Sequence, residues 1–173
     1  MAETAFIVRV PEAEALVGEL RRRFDPSALR GVPAHITVLV PFMPPQQLTD
    51  PVLSDISEIL GAHRPFGFGL ARIGRFPVTV YLSPEPEDPF VQLTHSLVAR
   101  FPAYPPYGGV HAGVVPHLTV AQGDASAADV VERELSQALE SNGPVASTCH
   151  SVALLENSSG DWRQLHVFAL GQA

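Results

Sequence analysis

Two short stretches hold residue types that can do chemistry: HITV at 35–38 and HLTV at 117–120. Each sets a histidine two residues ahead of a threonine inside an apolar run. With seven His and seven Thr in 173 residues, random placement gives about 0.3 such triplets, so a single one would mean little. Two of them, each inside an apolar run, are a pair to be explained. Imidazole changes charge near neutral pH, so one ring of a pair can take a proton while the other gives one. Two threonine hydroxyls beside them can hold the oxygens of an anion. A metal site would need a third ligand, usually a carboxylate or thiolate, and none stands near either stretch. A Ser-His-Asp triad would use one histidine and an acidic orienter. Cleavage or transfer at a phosphodiester, with His35 and His117 as the acid/base pair and no metal, fits the residues best.

The surrounding residues must form strands that aim these side chains. Side chains alternate across a strand, so His35 and Thr37 share one face while Ile36, Val38 and Val40 share the other. His117, Thr119 and Ala121 share a face in the same way, opposite Leu118 and Val120. The apolar sets are expected to meet helices, which leaves the His/Thr sets facing a cleft. Strands are expected at 5–10, 35–40, 65–74, 77–84 and 114–121, and one more at each of 145–156 and 162–171. Pro41 is expected to stop the second of them. Helices are expected to start at Pro11 and at Asp50-Pro51 and to cover about 126–139, with another carrying Phe90, Leu93, Leu97 and Phe101 on one face. Arg21, Arg22 and Arg23 read as a solvated helix end that complements the helix dipole.

Strand, helix, histidine strand, helix, strand thus occurs twice. This pattern predicts an internal duplication with pseudo-repeats at about 4–75 and 76–171, within one domain covering 1–173. The expected fold class is α+β and bilobal. Each lobe is an antiparallel sheet with helices on its outer face, and the cleft runs between the lobes.

Bulk properties bound the function. The chain is 46% hydrophobic and 17% charged, which marks a globular protein. It has no apolar run long enough to span a bilayer and no signal-peptide pattern at its start, so no membrane partner and a cytoplasmic location are expected. Cys149 stands alone, which leaves no disulfide framework. A net charge of −7 argues against a surface that tracks duplex DNA. No cofactor is expected, and the chain is expected to act as a monomer.

The paired motifs resemble those of the two-histidine (2H) phosphoesterase superfamily, which includes the bacterial 2′,3′-cyclic phosphodiesterases known as 2′-5′ RNA ligases. HITV and HLTV match its motif at both histidines and both threonines, and the element order agrees over nearly the whole chain. The resemblance implies a bilobal α+β fold with the four motif residues lining a cleft. It also implies catalysis by His35 and His117, phosphate binding by Thr37 and Thr119, and a nucleotide or RNA-end phosphodiester as substrate. Cyclic-phosphodiesterase members often carry an arginine shortly after the second motif, where Gln122 and Gly123 stand here. Two alternatives remain open: hydrolysis of another small nucleotide-derived phosphodiester, and a non-catalytic RNA-end or nucleotide-binding module.

Aromatic residues near the motifs complete the set of candidates. Tyr81 is placed to stack on a base. Phe42, with Tyr104 and Tyr107, is expected at the mouth of the site. Trp162 reads as core or turn packing, and Arg163 as a further phosphate contact. His63, His95, His111, His150 and His166 lack a threonine at +2 and read as ordinary histidines.

Overall fold

The computed structural model of the chain, which describes residues 1–171, contains two four-stranded sheets. All their strand pairs are antiparallel. The chain begins with β1 (Thr4–Arg9), then a 3₁₀ turn at Pro11–Ala13 and α1 (Glu14–Phe24). Pro11 therefore opens a 3₁₀ turn that leads into the helix. A one-turn α2 (Pro26–Leu29) precedes the first histidine strand, β2 (His35–Phe42), which runs on through Pro41. Thr49, ahead of the expected Asp50, caps α3 (Asp50–Gly61). The hairpin of β3 (Phe66–Phe76) and β4 (Thr79–Glu85) follows, then α4 (Asp88–Arg100) and β5 (Leu118–Gln122). The chain ends with α5 (Ala125–Asn142), β6 (Val145–Cys149), β7 (Ser151–Glu156) and β8 (Arg163–Ala169).

The first sheet has the order β2-β1-β7-β8 and the second β5-β4-β3-β6. The predicted order of elements does recur, as β1-α1-β2-α3-β3 and β4-α4-β5-α5-β6. The lobes, however, are not the two halves of the chain. β3 lies almost wholly within 4–75 but joins the second sheet, because a two-residue connection folds it straight back on β4. The matching place beside β1 is taken by β7. The stretch at 145–156 is likewise two strands, not one. It breaks at His150, with Cys149 paired to Phe66 in one sheet and Ser151 to Ala169 in the other.

Helices also cross between the lobes: α1 packs against β5 and α4 against β2. One continuous core results, with Phe6, Val8 and Ile36 of the first sheet joined to Leu70, Val80 and Leu118 of the second. Phe90 bridges to β3 by edge contacts with Phe66 and Phe68, each at 5.0 Å between ring centres. Burial of this apolar surface is the main drive holding the two sheets in a fixed relation.

Both histidine strands carry a β-bulge at the same place. Phe6 pairs with Leu39 and Ile7 with Thr37, which leaves Val38 without a partner on β1. Val80 pairs with Ala121 and Tyr81 with Thr119, which leaves Val120 without a partner on β4. A bulge breaks the alternation of faces. Val38 and Leu39 are consequently both buried, as are Val120 and Ala121, while Val40 is half-buried. Ala121 therefore belongs to the core and not to the His/Thr face, and Val40 leaves the face expected for it. The hydroxyl of Thr94, on α4, donates to the Val38 carbonyl at 2.7 Å and satisfies the bulged backbone of β2.

Candidate active site

His35 is the first residue of β2, and His117 immediately precedes β5. Both rings are tied in the same way. His35 Nδ1 lies 2.8 Å from the Pro33 carbonyl, and His117 Nδ1 lies 2.7 Å from the Val115 carbonyl. A carbonyl only accepts, so each Nδ1 carries the proton and donates. Each Nε2 is then the nitrogen left for chemistry.

The backbone that receives the His35 proton is itself braced. Arg21 Nη2 donates to the Val32 carbonyl at 3.0 Å, and Glu14 Oε1 accepts from Ala34 N–H at 2.6 Å. Pro33 is fixed between these two anchors. Arg21 is 2% exposed and pairs with Asp25 at 2.9 Å, with Ser27 completing the network through bonds to both side chains. The reading of Arg21 as part of a solvated helix end is thus corrected; only Arg22 and Arg23 are exposed. The i, i+4 spacing of Arg21 and Asp25 was the available signal.

Both imidazoles are held toward the neutral form. Burial lowers the His35 pKa to about 4; the Pro33 carbonyl opposes this, Arg21 adds to it, Asp25 opposes it, and the His117 ring adds to it. Burial also lowers His117, against the bond to Val115. The strands that carry the two rings pack against each other, β2 against β5.

Thr37 and Thr119 are half-buried on the same faces as their histidines. Thr4 and Thr94, by contrast, are buried and donate to backbone carbonyls of Met43 and Val38. Among the described residues, neither Thr37 nor Thr119 spends its hydroxyl on another protein group.

Tyr81 reaches the site, but as a neighbour of His117. Its ring is 5.3 Å from the imidazole and 4.6 Å from Phe76, and it is 9% exposed. It lies over Gly74 of β3, where a Cβ would fall on its ring. Phe76 meets His117 edge-on at 5.3 Å. A ring covered in this way has little face to offer a base, so Tyr81 is corrected from a stacking platform to a support for His117. Phe42 is corrected more fully. It is 2% exposed among Phe6, Phe101 and Tyr104, and it belongs to the core behind β2 rather than to the mouth.

Trp162 has a larger place than its turn position suggested. It packs on Ile7, Val32, Ala153 and Leu155, a small apolar cluster separate from the main core. Ile7 is the register partner of Thr37, so this cluster floors the His/Thr face of the first sheet. Arg163 is paired with Glu156. Among the described residues no three His, Cys, Asp or Glu side chains come together as a metal site.

A family model described as the 2′-5′ RNA ligase superfamily matches residues 9–161. A provisionally named phosphoesterase of Bacillus cereus (strain G9842) is 29% identical over 163 residues, covering 88% of this chain and 87% of that protein. TT0787 of Thermus thermophilus shares the fold with a TM-score of 0.64 at 21% identity, over 98% of each chain. E. coli LigT complexed with 3′-AMP gives a TM-score of 0.64 at 17% identity, again over 98% of each chain.

Proposed function

This chain belongs to the 2′-5′ RNA ligase superfamily of two-histidine phosphoesterases, and we propose that it hydrolyses a 2′,3′-cyclic phosphodiester of a nucleotide or RNA end. The observation that carries the proposal is the matched pair of Nδ1 bonds at His35 and His117, which leaves Nε2 of each ring without a protein partner among the described residues.

His35, the more strongly depressed ring, is neutral at pH 7 and takes the proton of the attacking water. The water oxygen forms a bond to phosphorus, and the bond from phosphorus to one ribose oxygen breaks. His117, protonated in the presence of the anionic substrate, gives its Nε2 proton to that oxygen. The product is a ribose phosphomonoester, and the two rings have exchanged protonation states. Thr37 and Thr119 donate to the non-bridging oxygens as negative charge builds there.

The likeness to E. coli LigT, whose structure holds 3′-AMP, supports a nucleotide in the cleft. The test is turnover of adenosine 2′,3′-cyclic phosphate with and without chelator. Chelator-insensitive hydrolysis that is lost in both His35→Ala and His117→Ala supports the reading. Unchanged hydrolysis in either variant refutes the acid/base assignment.

A further inference from the structure

We infer that a second anion subsite, built around Arg9 beside His35, takes the phosphate flanking the scissile one. The inference rests on the proposed phosphodiester substrate and names a further part of it. Its basis is one row of the sheet. Thr37 pairs with Ile7, Ile7 with Ala153, and Ala153 with Val167, so these four side chains share a face. Ala153 and Val167 floor a cavity of about 350 Å³ whose walls include Arg9, Thr148, Ser151 and Gln164. Arg9 is the register partner of His35, so the cavity adjoins the catalytic face directly. From Thr37 to Ala153 is two strand spacings, about 9–10 Å.

The chemistry of the walls suits a phosphate. Arg21, Arg23, Arg72, Arg75, Arg100 and Arg163 all have carboxylate partners. Arg9 is exposed and, like Arg22, Arg30, Arg64 and Arg133, takes part in no ion pair among the described residues; it is set apart from these four by lining the cavity beside His35. Glu12 also borders the cavity; its carboxylate accepts from Ser147 Oγ at 2.9 Å and forms no ion pair with Arg9. Guanidinium presents paired donors in the geometry of phosphate oxygens, and the hydroxyls of Thr148 and Ser151 add neutral donors beside it.

The test compares adenosine 2′,3′-cyclic phosphate with its 5′-phosphorylated form in the wild type, Arg9→Gln and Arg9→Lys. The 5′-phosphate is expected to raise kcat/KM about tenfold or more, as a charge-assisted contact should. Arg9→Gln is expected to collapse that ratio toward one, and Arg9→Lys to keep part of it. A wild type that does not prefer the phosphorylated form overturns the inference, as does an Arg9→Gln variant that keeps the preference. If no cyclic phosphate is turned over, the hydrolytic reading fails by itself. Calorimetric binding of adenosine 3′,5′-bisphosphate against adenosine 3′-phosphate then decides the subsite by the same ratio.

Discussion

His35 Nδ1–H donates to the Pro33 carbonyl and His117 Nδ1–H to the Val115 carbonyl, in each case two residues upstream and at 2.8 and 2.7 Å. The two histidines are therefore the same device built twice. Each fixes its tautomer with a backbone acceptor and leaves Nε2 without a protein partner among the described residues. Each is followed by a threonine on the same face and then by a bulge that returns the strand to the core. What differs is the support behind them. His35 rests on a buried ion pair, and His117 rests on the rings of Tyr81 and Phe76.

Replacing either ring by glutamine keeps polarity and approximate size but removes proton transfer. His35→Gln and His117→Gln are each expected to lower kcat on a cyclic phosphate by about 10²–10⁴-fold. The double variant should be little worse than the worse single one, since the two rings act in one step. In a pH profile of kcat/KM, each variant should lose one limb of the bell. A double variant whose loss is the product of the two single losses would show that the rings do not act together.

Threonine to valine keeps shape and deletes the hydroxyl. Because Thr37 and Thr119 form no competing bond within the described chain, Thr37→Val and Thr119→Val should leave the thermal midpoint nearly unchanged. Each should lower kcat about 10–100-fold, the worth of a hydrogen bond to a charged oxygen. A fall confined to KM would show that the hydroxyls bind ground-state phosphate only.

The histidine strands, their facing and the two-lobed α+β class were legible because a period-two pattern and a repeated motif are local signals. The bulges at Val38 and Val120 were not. Both residues are apolar and suit a regular strand, and only the partner strand's register displaces them. The exchange of β3 and β7 between sheets was hidden for a related reason, since a strand's hydrophobic pattern does not say which edge it joins. Phe42 was misread because proximity in sequence to a motif is not proximity to its cleft. Two register shifts between Thr37 and Phe42 turn it into the core. Arg9 was missed because its importance comes from its register partner, His35, and the packing read for Trp162 found its particular place only in the Ile7–Leu155 cluster.

Gly74 sits beneath Tyr81 at a point where any Cβ would meet ring atoms. Gly74→Ala should push the Tyr81 ring away from His117 and cost about 1–3 kcal/mol in overpacking, read as a lower urea midpoint. Activity should fall with it. Tyr81→Ala in the Gly74→Ala background relieves the clash and should recover part of the stability without recovering kcat, because the imidazole has then lost its lateral support. Full recovery of kcat would mean that Tyr81 does not position His117.

The Arg21–Asp25 pair is almost completely buried, so removing one partner strands a charge. Asp25→Ala is expected to cost about 3–5 kcal/mol of stability in urea unfolding. Arg21→Met/Asp25→Leu removes both charges and should recover much of that loss. It also frees the Val32 carbonyl, loosening the segment that carries Pro33, so a folded double variant is expected to show a reduced kcat. A fully active double variant would show that the segment is held by Glu14 and the strand alone.

Acid should destabilise the fold through His35. Its imidazole is lowered from the ordinary 6.5 to about 4, so between those values the unfolded chain binds the proton that the folded chain refuses. Where the unfolded state holds more protons, stability rises with pH. The His35 contribution is thus fully present above about pH 6.5 and is lost as pH falls toward 4. At 1.36 kcal/mol for each pH unit between the two pKa values, it amounts to at most about 3 kcal/mol. Burial lowers His117 and His63 in the same direction, so the wild type should fall further than this single group accounts for. Urea midpoints at pH 7.5 and 5 in the wild type and in His35→Gln give the check. The variant cannot titrate at this position, so its stability should decline less steeply over that interval. Equal slopes in the two proteins would show that His35 is protonated in the folded state at pH 5, and would remove the reason for assigning it the role of base.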